Sequence, residues 1–554
     1  MSMKPPVRIH VLLFGFFLLT SHFGYAGSAT WNQNPMSSDW NTASNWTPET
    51  VPKGPDDVAS FASSSLTTVS IPRSTEVSQI VFNNEASSFS ITVAPGVTLT
   101  LSGQGVINNS GIQQNFNVMA DRSGAGNMRF KNSASAGGDT FYTINAPADS
   151  SRFSCSVTFE DFSTAGDGTF TVKRGIFAGN AGGDLDFYDQ SNAGNAVITN
   201  EADPTGGAFG GTTGFLGTAS AANATFFNQG CTINGSNVSG VTWFEQNSTA
   251  ANATIILHGG TAGLGEPGEA IFTDTASAED ATFIADNDAG GTYGGAIRFW
   301  DTNTGSRARF ELRDPGTSLD LHFQESPFTI GSIEGSGTVE MGIYGIAIGA
   351  NDLDTVFSGF ITGFGAVTKV GKGTLVLTNA NTYGRVTSVN RGTLLVNNTS
   401  GSATGSRPVT VKGGRLGGKG IIAGAVTVGG NGGNQATLSP GSDGTGLLTL
   451  QSTLTFKANG IYDWSVNSAT LGADQVVANG VSIDSGATIF VSGQGNAAIP
   501  VGTLFAVIDN TAATPIAGTF ANLPDGSIFT VHGTNFQANY EGGDGNDLTL
   551  TVVP

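Results

Sequence analysis

The chain has 554 residues, 80 of them glycine and only 12% charged, with 23 basic against 43 acidic side chains and a formal charge of −20. An acid excess of that size repels phosphate backbones and sets nucleic acid aside as a partner. The glycine content argues against a helical protein, because each glycine costs a helix about 1 kcal/mol relative to alanine.

At the start, Lys4 and Arg8 precede an apolar run over 11–19 and small residues over 24–29. This is the layout of a secretory signal peptide over 1–26, which hands the chain to an export machinery and places the mature protein outside the cytoplasm, secreted or at the cell surface. The apolar core is too short to span a bilayer, and no other run approaches the ~20 residues needed. Residues 27–77 hold Trp31, Trp40 and Trp46, half of the six tryptophans. If the chain is a solenoid, its open ends must be covered, so this proline-interrupted segment reads as an N-terminal cap with the first strands. The competing reading is a ligand site in which exposed tryptophans lie flat on sugar rings; clustering beside the terminus favours the cap. Over 78–129, short alternating strands at 79–82, 90–93 and 97–101 are broken by Asn83-Asn84, Pro95-Gly96 and Gly103, which are turn signals at strand spacing.

Residues 130–315 carry a twelve-residue pattern seven times. It opens on Phe130, Phe159, Phe187, Phe215, Phe244, Phe272 and Phe299, at intervals of 29, 28, 28, 29, 28 and 27 residues. A small residue follows six positions later (Ala136, Ala165, Ala193, Ala221, Ala250, Ala278, Gly305) and a large apolar one eleven later (Phe141, Phe170, Ile198, Phe226, Ile255, Phe283, Phe310). Such a period marks a solenoid whose repeats bury their apolar side only against one another. Helical pairs need Leu, Ala, Glu, Lys and Arg at a 3.6-residue period, whereas Thr, Val and Phe suit a pleated surface. The expectation is an all-β rod with the opening phenylalanines stacked inside, one strand spacing, about 4.8 Å, apart. A polar column just before the small one, from Ser135 to Thr304, then faces solvent or forms a hydrogen-bonded ladder. Cys155 and Cys231 fall in different columns about three coils apart, roughly 14 Å and beyond disulfide reach, so both are expected as buried free thiols.

The period lapses in transition coils over 316–364. Residues 365–398, GAVTKVGKGTLVLTNANTYGRVTSVNRGTLLVNN, carry Lys369, Gly371, Gly373-Thr374-Leu375, Leu377, Ala380-Asn381-Thr382-Tyr383 and Gly392-Thr393-Leu394. On these residues the segment resembles the autotransporter-associated β-strand repeat, also called the passenger-associated transport repeat. The likeness continues through Gly413-Gly414 and Leu438-Ser439-Pro440-Gly441, covering 365–455, and departs at Arg385-Val386, where the family usually has Gly-Gly. The resemblance implies a right-handed parallel β-helix (β-solenoid) and a role in secretion or surface display. The last segment, 456–554, reads as further β coils and a C-terminal cap, without the outer-membrane barrel of an autotransporter; the chain is expected to be passenger-like and exported by another route.

Candidate chemistry is sparse. Acidic residues recur at the third position of the pattern, Asp161 with Asp189 and Asp274 with Asp301. Adjacent coils put each pair about 5 Å apart, near the spacing of a retaining glycosidase's carboxylates; the plainer reading is a turn, since Asn132, Gly217 and Gln246 share the column. Asp544 and Asp547 in GGDGNDLTL fit one calcium-binding nonapeptide, but such sites are completed by a following copy, so a hairpin turn is the better reading. Residues 413–420 approach a P-loop, yet Gly420 stands where Ser or Thr is required. No cysteine and histidine spacing suits a metal, and no cofactor is expected. The composite expectation is a non-enzymatic exported β-helix of surface, matrix or adhesin type with an extracellular or cell-surface polysaccharide as the partner class. The alternatives are a polysaccharide lyase or glycosidase and a glycan-binding module.

Overall fold

A computed structural model describes residues 27–150, 153–203, 207–231, 238–260, 265–287, 291–430, 434–441, 444–495 and 497–554. The expected signal peptide, 1–26, lies outside the described residues.

Four-residue strands with alternating burial set the architecture. In Ser156–Phe159, Val157 and Phe159 point inward and Ser156 and Thr158 outward. This strand pairs parallel and in register with Asn127–Phe130 on one side and Asp184–Phe187 on the other. Repeated coil by coil, the pairing builds a fifteen-stranded first sheet from Trp46–Thr47 to Phe360–Gly363, parallel throughout except at its first pair. A second parallel ladder runs from Thr68–Ile71 to Thr488–Gln494. The third side of the coil changes along the rod. Through the seven-copy region it is a chain of single-residue bridges, Gly105, Ser135, Thr164, Asn192, Ser220, Thr249, Ser277 and Thr304. From Phe328–Ile330 to Val481–Ile483 it is a true sheet of eight parallel strands. The switch accompanies a shorter coil: first-sheet strands start 28 residues apart at Ser156 and Asp184 but 20 apart at Ser318 and Thr338. Three faces around one apolar interior make the chain a parallel β-helix.

Inside, the opening phenylalanines form an unbroken stack. Ring centroids from Phe130 to Phe299 are 4.4–5.0 Å apart with interplanar angles of 4–13°, so each ring sits over the next at the strand spacing. The small column from Ala136 to Ala278 is fully buried where the chain leaves the polar column. The polar column does two jobs: its backbone makes the bridges, and its side chains accept N–H groups two residues on, as from Gly166 to Thr164 and from Gly194 to Asn192, both 3.1 Å. One column corrects the expectation. Tyr142, not Phe141, stands over Phe170, with centroids 4.6 Å apart, because the register shifts between Gly138 and Phe141. The first copy holds one extra residue there, with Asp139 in the left-handed region at φ 52°.

Antiparallel pairing appears in the first and last described coils. Trp46 packs edge to face against Trp31, Trp40 and Phe61, with centroids 5.1, 4.8 and 5.7 Å away. At the other end, the parallel strands Leu447–Leu450, Gln475–Ala478 and Leu504–Asn510 give way to antiparallel Asp547–Val553, Thr534–Gly542 and Ile528–Val531. Residues 413–420 form the second-sheet strand Gly414–Gly418 and the turn beyond it. Lys369 is buried in the third sheet, its ammonium donating to the Val370 and Gly371 carbonyls, and burial pushes its pKa down to about 8. Cys155 and Cys231 are buried and not joined in a disulfide, and the Cys231 sulfur accepts the Glu266 N–H at 3.0 Å.

Phe215 stacks on Phe187 at 4.6 Å and on Phe244 at 5.0 Å. Replacing it, Phe215→Ala, opens a cavity between two rings that cannot close without breaking two ladders, so urea denaturation is expected to show a loss of about 3–5 kcal/mol.

Candidate functional site

The aspartate column is a left-handed turn. Asn132, Asp161, Asp189, Gly217, Gln246, Asp274 and Asp301 all have φ between 56 and 70°, a region that short side chains able to bond locally, and glycine, enter at least cost. The side chains of the aspartates and of Gln246 then reach back one coil. The Asp161 carboxylate accepts the Asn132 N–H at 2.9 Å, and Asp189 accepts that of Asp161 at 3.2 Å. Gln246 accepts from Gly217, Asp274 from Gln246 and Asp301 from Asp274, at 2.9–3.1 Å. The structure therefore brings both pairs together, with one carboxylate oxygen of each acceptor engaged by the neighbouring backbone.

The three tryptophans are 0–1% exposed. Their indole N–H groups donate to the carbonyls of Leu66, Pro52 and Trp40 at 3.2, 2.9 and 2.7 Å. No ring face is left for a sugar to stack on. Asp544 is exposed in the turn between the last two strands, while Asp547 is nearly buried and accepts the Asn510 N–H at 2.8 Å. Burial raises the Asp547 pKa. Among the described residues no group of three or more His, Cys, Asp or Glu is placed to hold a metal ion.

Polar side chains gather instead on the outer faces of the sheets. On the second, a hollow of about 750 Å³ is crossed by Arg415, which bonds Ser439 at 2.6 Å and Asp463 at 2.7 Å. Its buried Asp474 accepts from Gly446 and Ser465 at 2.7–2.9 Å. These groups satisfy one another. On the first sheet, a hollow of about 400 Å³ is floored by Asp184, Thr212 and Trp243 and walled by Ala181, Gly182, Phe209 and Gly210 of the long connectors. A second, of about 550 Å³, is lined by Thr158, Glu160 and Tyr188.

Beside these hollows, on the strand Asp184–Phe187, two carboxylates have no cationic partner among the described residues. Ser154 donates to Asp184 at 2.5 Å, and burial raises the Asp184 pKa. Burial first, then the Asp184 charge, pushes Asp186 up to about 7, opposed by a hydrogen bond with Tyr188. The cations on this face are already engaged, Arg129 by Glu160 at 2.5 Å and Arg298 by Glu269 at 2.8 Å and Asp320 at 3.3 Å. At Gly214 a Cβ would meet Asp186 Oδ1 at 2.7 Å, so glycine makes room for the Asp186 carboxylate to lie over the next strand. The sequence signal for this site was present: Asp-Leu-Asp-Phe at 184–187 alternates two carboxylates with two core residues, which puts both on the outer face.

The passenger-associated-transport-repeat model matches residues 367–396. A curated relative, "Adhesin BmaC autotransporter" of Brucella suis biovar 1 (strain 1330), is 35% identical over 121 residues, 21% of this chain and 3% of that protein's length. Among solved structures, "Crystal structure of the Haemophilus influenzae Hap adhesin" aligns over 90% of this chain and 64% of that one at 10% identity with a TM-score of 0.28, a superposition too loose to carry an argument. The chain thus spans a small fraction of the curated relative and less than two thirds of the solved one.

Two outcomes follow from this geometry. Asp161→Asn keeps a side chain suited to φ 57°, whereas Asp161→Val places a β-branched residue there and is expected to lose about 1–2 kcal/mol in urea denaturation. A carboxyl held above its usual value binds more protons folded than unfolded between about pH 4 and pH 7, so its contribution to stability declines as pH rises through that window. Facing Asp186 are Asp184, Tyr188 and Glu245. Thermal melts are expected to show a smaller decline between about pH 5 and pH 8 for Asp186→Asn than for the parent, with the variant the more stable at the upper end.

Proposed function

We propose that the chain, built around a segment that matches the passenger-associated transport repeat, is an exported, non-enzymatic β-helical rod of adhesin type. The segment over 1–26 serves export, residues 27–77 and 456–554 cap the rod, and an extracellular or cell-surface polysaccharide is its partner class. The observation that carries this reading is the unbroken vertical order: the parallel ladders pass through the seven-copy region without interruption, and the repeating carboxylate column spends its acceptors on the backbone of the preceding coil. A rod of that kind presents a long, regular lateral surface, as a protein that binds along its length requires. Local similarity to an adhesin autotransporter supports it.

The second reading, an enzyme acting on polysaccharide, draws on the buried carboxylates Asp184 and Asp186. Purified protein is expected to adhere to immobilised polysaccharide without releasing reducing sugar. Release that disappears in Asp186→Asn moves the enzymatic reading to first place.

A further inference from the structure

The second ladder has an outer face with a composition of its own. Two outward positions, those of Thr169 and Thr171, can be followed strand by strand through the pairing, back to Thr68 and Ser70 and on to Thr282 and Ile284. Across those nine strands both columns hold only Thr, Ser, Asn, Val, Ile and Phe. The run stops at the next strand, where Arg309 and Glu311 take the two positions. In a chain with 43 acidic and 23 basic residues such a run is an exception. On the first sheet the same stretch of rod turns Arg129, Asp184, Asp186, Glu269 and Arg298 outward. Within the uncharged columns Phe141, Val197, Phe227, Ile256 and Ile284 are large and apolar yet reach solvent, Val197 to 40%. Charges begin at the rims, where Asp167 accepts from Asn195 at 2.8 Å, Lys173 pairs with Glu201 at 2.5 Å and His258 with Asp286 at 3.1 Å. A core depleted of charge and holding aromatic rings, inside a polar rim, is the anatomy of a protein–protein interface.

We propose that a second copy of the chain docks on this face, rod beside rod, to form a dimer. Period selects the occupant. The columns repeat at the strand spacing, about 4.8 Å, and the side chains of two sheets facing each other at about 10 Å interdigitate when their corrugations match. A second copy carries the same corrugation over the same length. Charge selects it as well, because two chains of formal charge −20 repel each other wherever their charged faces meet, and neither column sets a carboxylate against its counterpart. Nine strands of four residues make a face of roughly 43 by 13 Å, so two copies bury on the order of 1,000 Å², enough for a specific contact of about micromolar affinity. With the rods antiparallel each copy uses the same face once, and the assembly closes at two. Such a dimer stands or falls apart from the polysaccharide reading, since it engages neither a sugar nor the first sheet.

Sedimentation velocity of the purified protein over a concentration series is the test. A monomer–dimer equilibrium is expected, held or strengthened as salt is raised, because screening relieves the repulsion between acidic rods. Val197→Glu together with Ile256→Glu places two carboxylates on each face and is expected to raise the dissociation constant about tenfold or more. Phe227→Thr removes a ring and leaves the residue type that its neighbour Thr199 already supplies one strand back, and it is expected to weaken the dimer in the same direction. Thr212→Glu, outward on the first sheet, is expected to leave the equilibrium unchanged, and thermal melts establish that each variant remains folded. A protein that stays monomeric up to about 100 μM, dimers indifferent to both changes on the second sheet, or dimers lost equally in Thr212→Glu overturn the proposal. Association that weakens as salt is raised points to a charged face and overturns it too.

Discussion

The structure depends on register between successive coils. In a parallel ladder every backbone N–H and C=O finds its partner one strand spacing away, and the side chains of equivalent positions are forced into contact at the same interval. Flat aromatic rings meet that interval in offset stacks, which is why centroids in the phenylalanine column stay within 4.4–5.0 Å across six steps. A slip of one residue in any coil would turn its core face outward. The phenylalanines oppose that slip, because moving one removes two ring contacts and exposes an aromatic surface.

Corners impose a second constraint, since a coil returns on itself only if some residues leave extended conformation. In the turn column the cost of a left-handed backbone is offset by a side chain that accepts the N–H of the preceding coil. Carboxylate, amide and glycine alternate there because all three enter that conformation and only some must also bridge. A regular spacing of aspartates about 5 Å apart is thus compatible with a wholly architectural role.

The first and last described coils depart from the parallel pattern in different ways. The N-terminal end is plugged by three indoles whose N–H groups are all bonded to carbonyls. The C-terminal end turns its last strands antiparallel, so that the sheet no longer offers a parallel template for another coil. Edges left open in a protein of this kind invite association with further strands.

Vertical relations were legible from the sequence alone. The period of about 28 residues identified the solenoid and the stacked phenylalanines, and Lys369 with its neighbours marked the later repeat, because residues one period apart are direct neighbours in space. The column of Tyr142 was misread as Phe141, since a single inserted residue at Asp139 is invisible to a count of positions but shifts every side chain after it to the other face. Lateral relations had no such signal. That a third sheet replaces the single bridges at Phe328–Ile330 and that connectors such as 173–183 wall the first sheet were decided by how far each coil's corners project. Corner shape depends on connector conformation and packing against the coils above and below, so it belongs to the tertiary structure, while the spacing of the columns was already written in the chain.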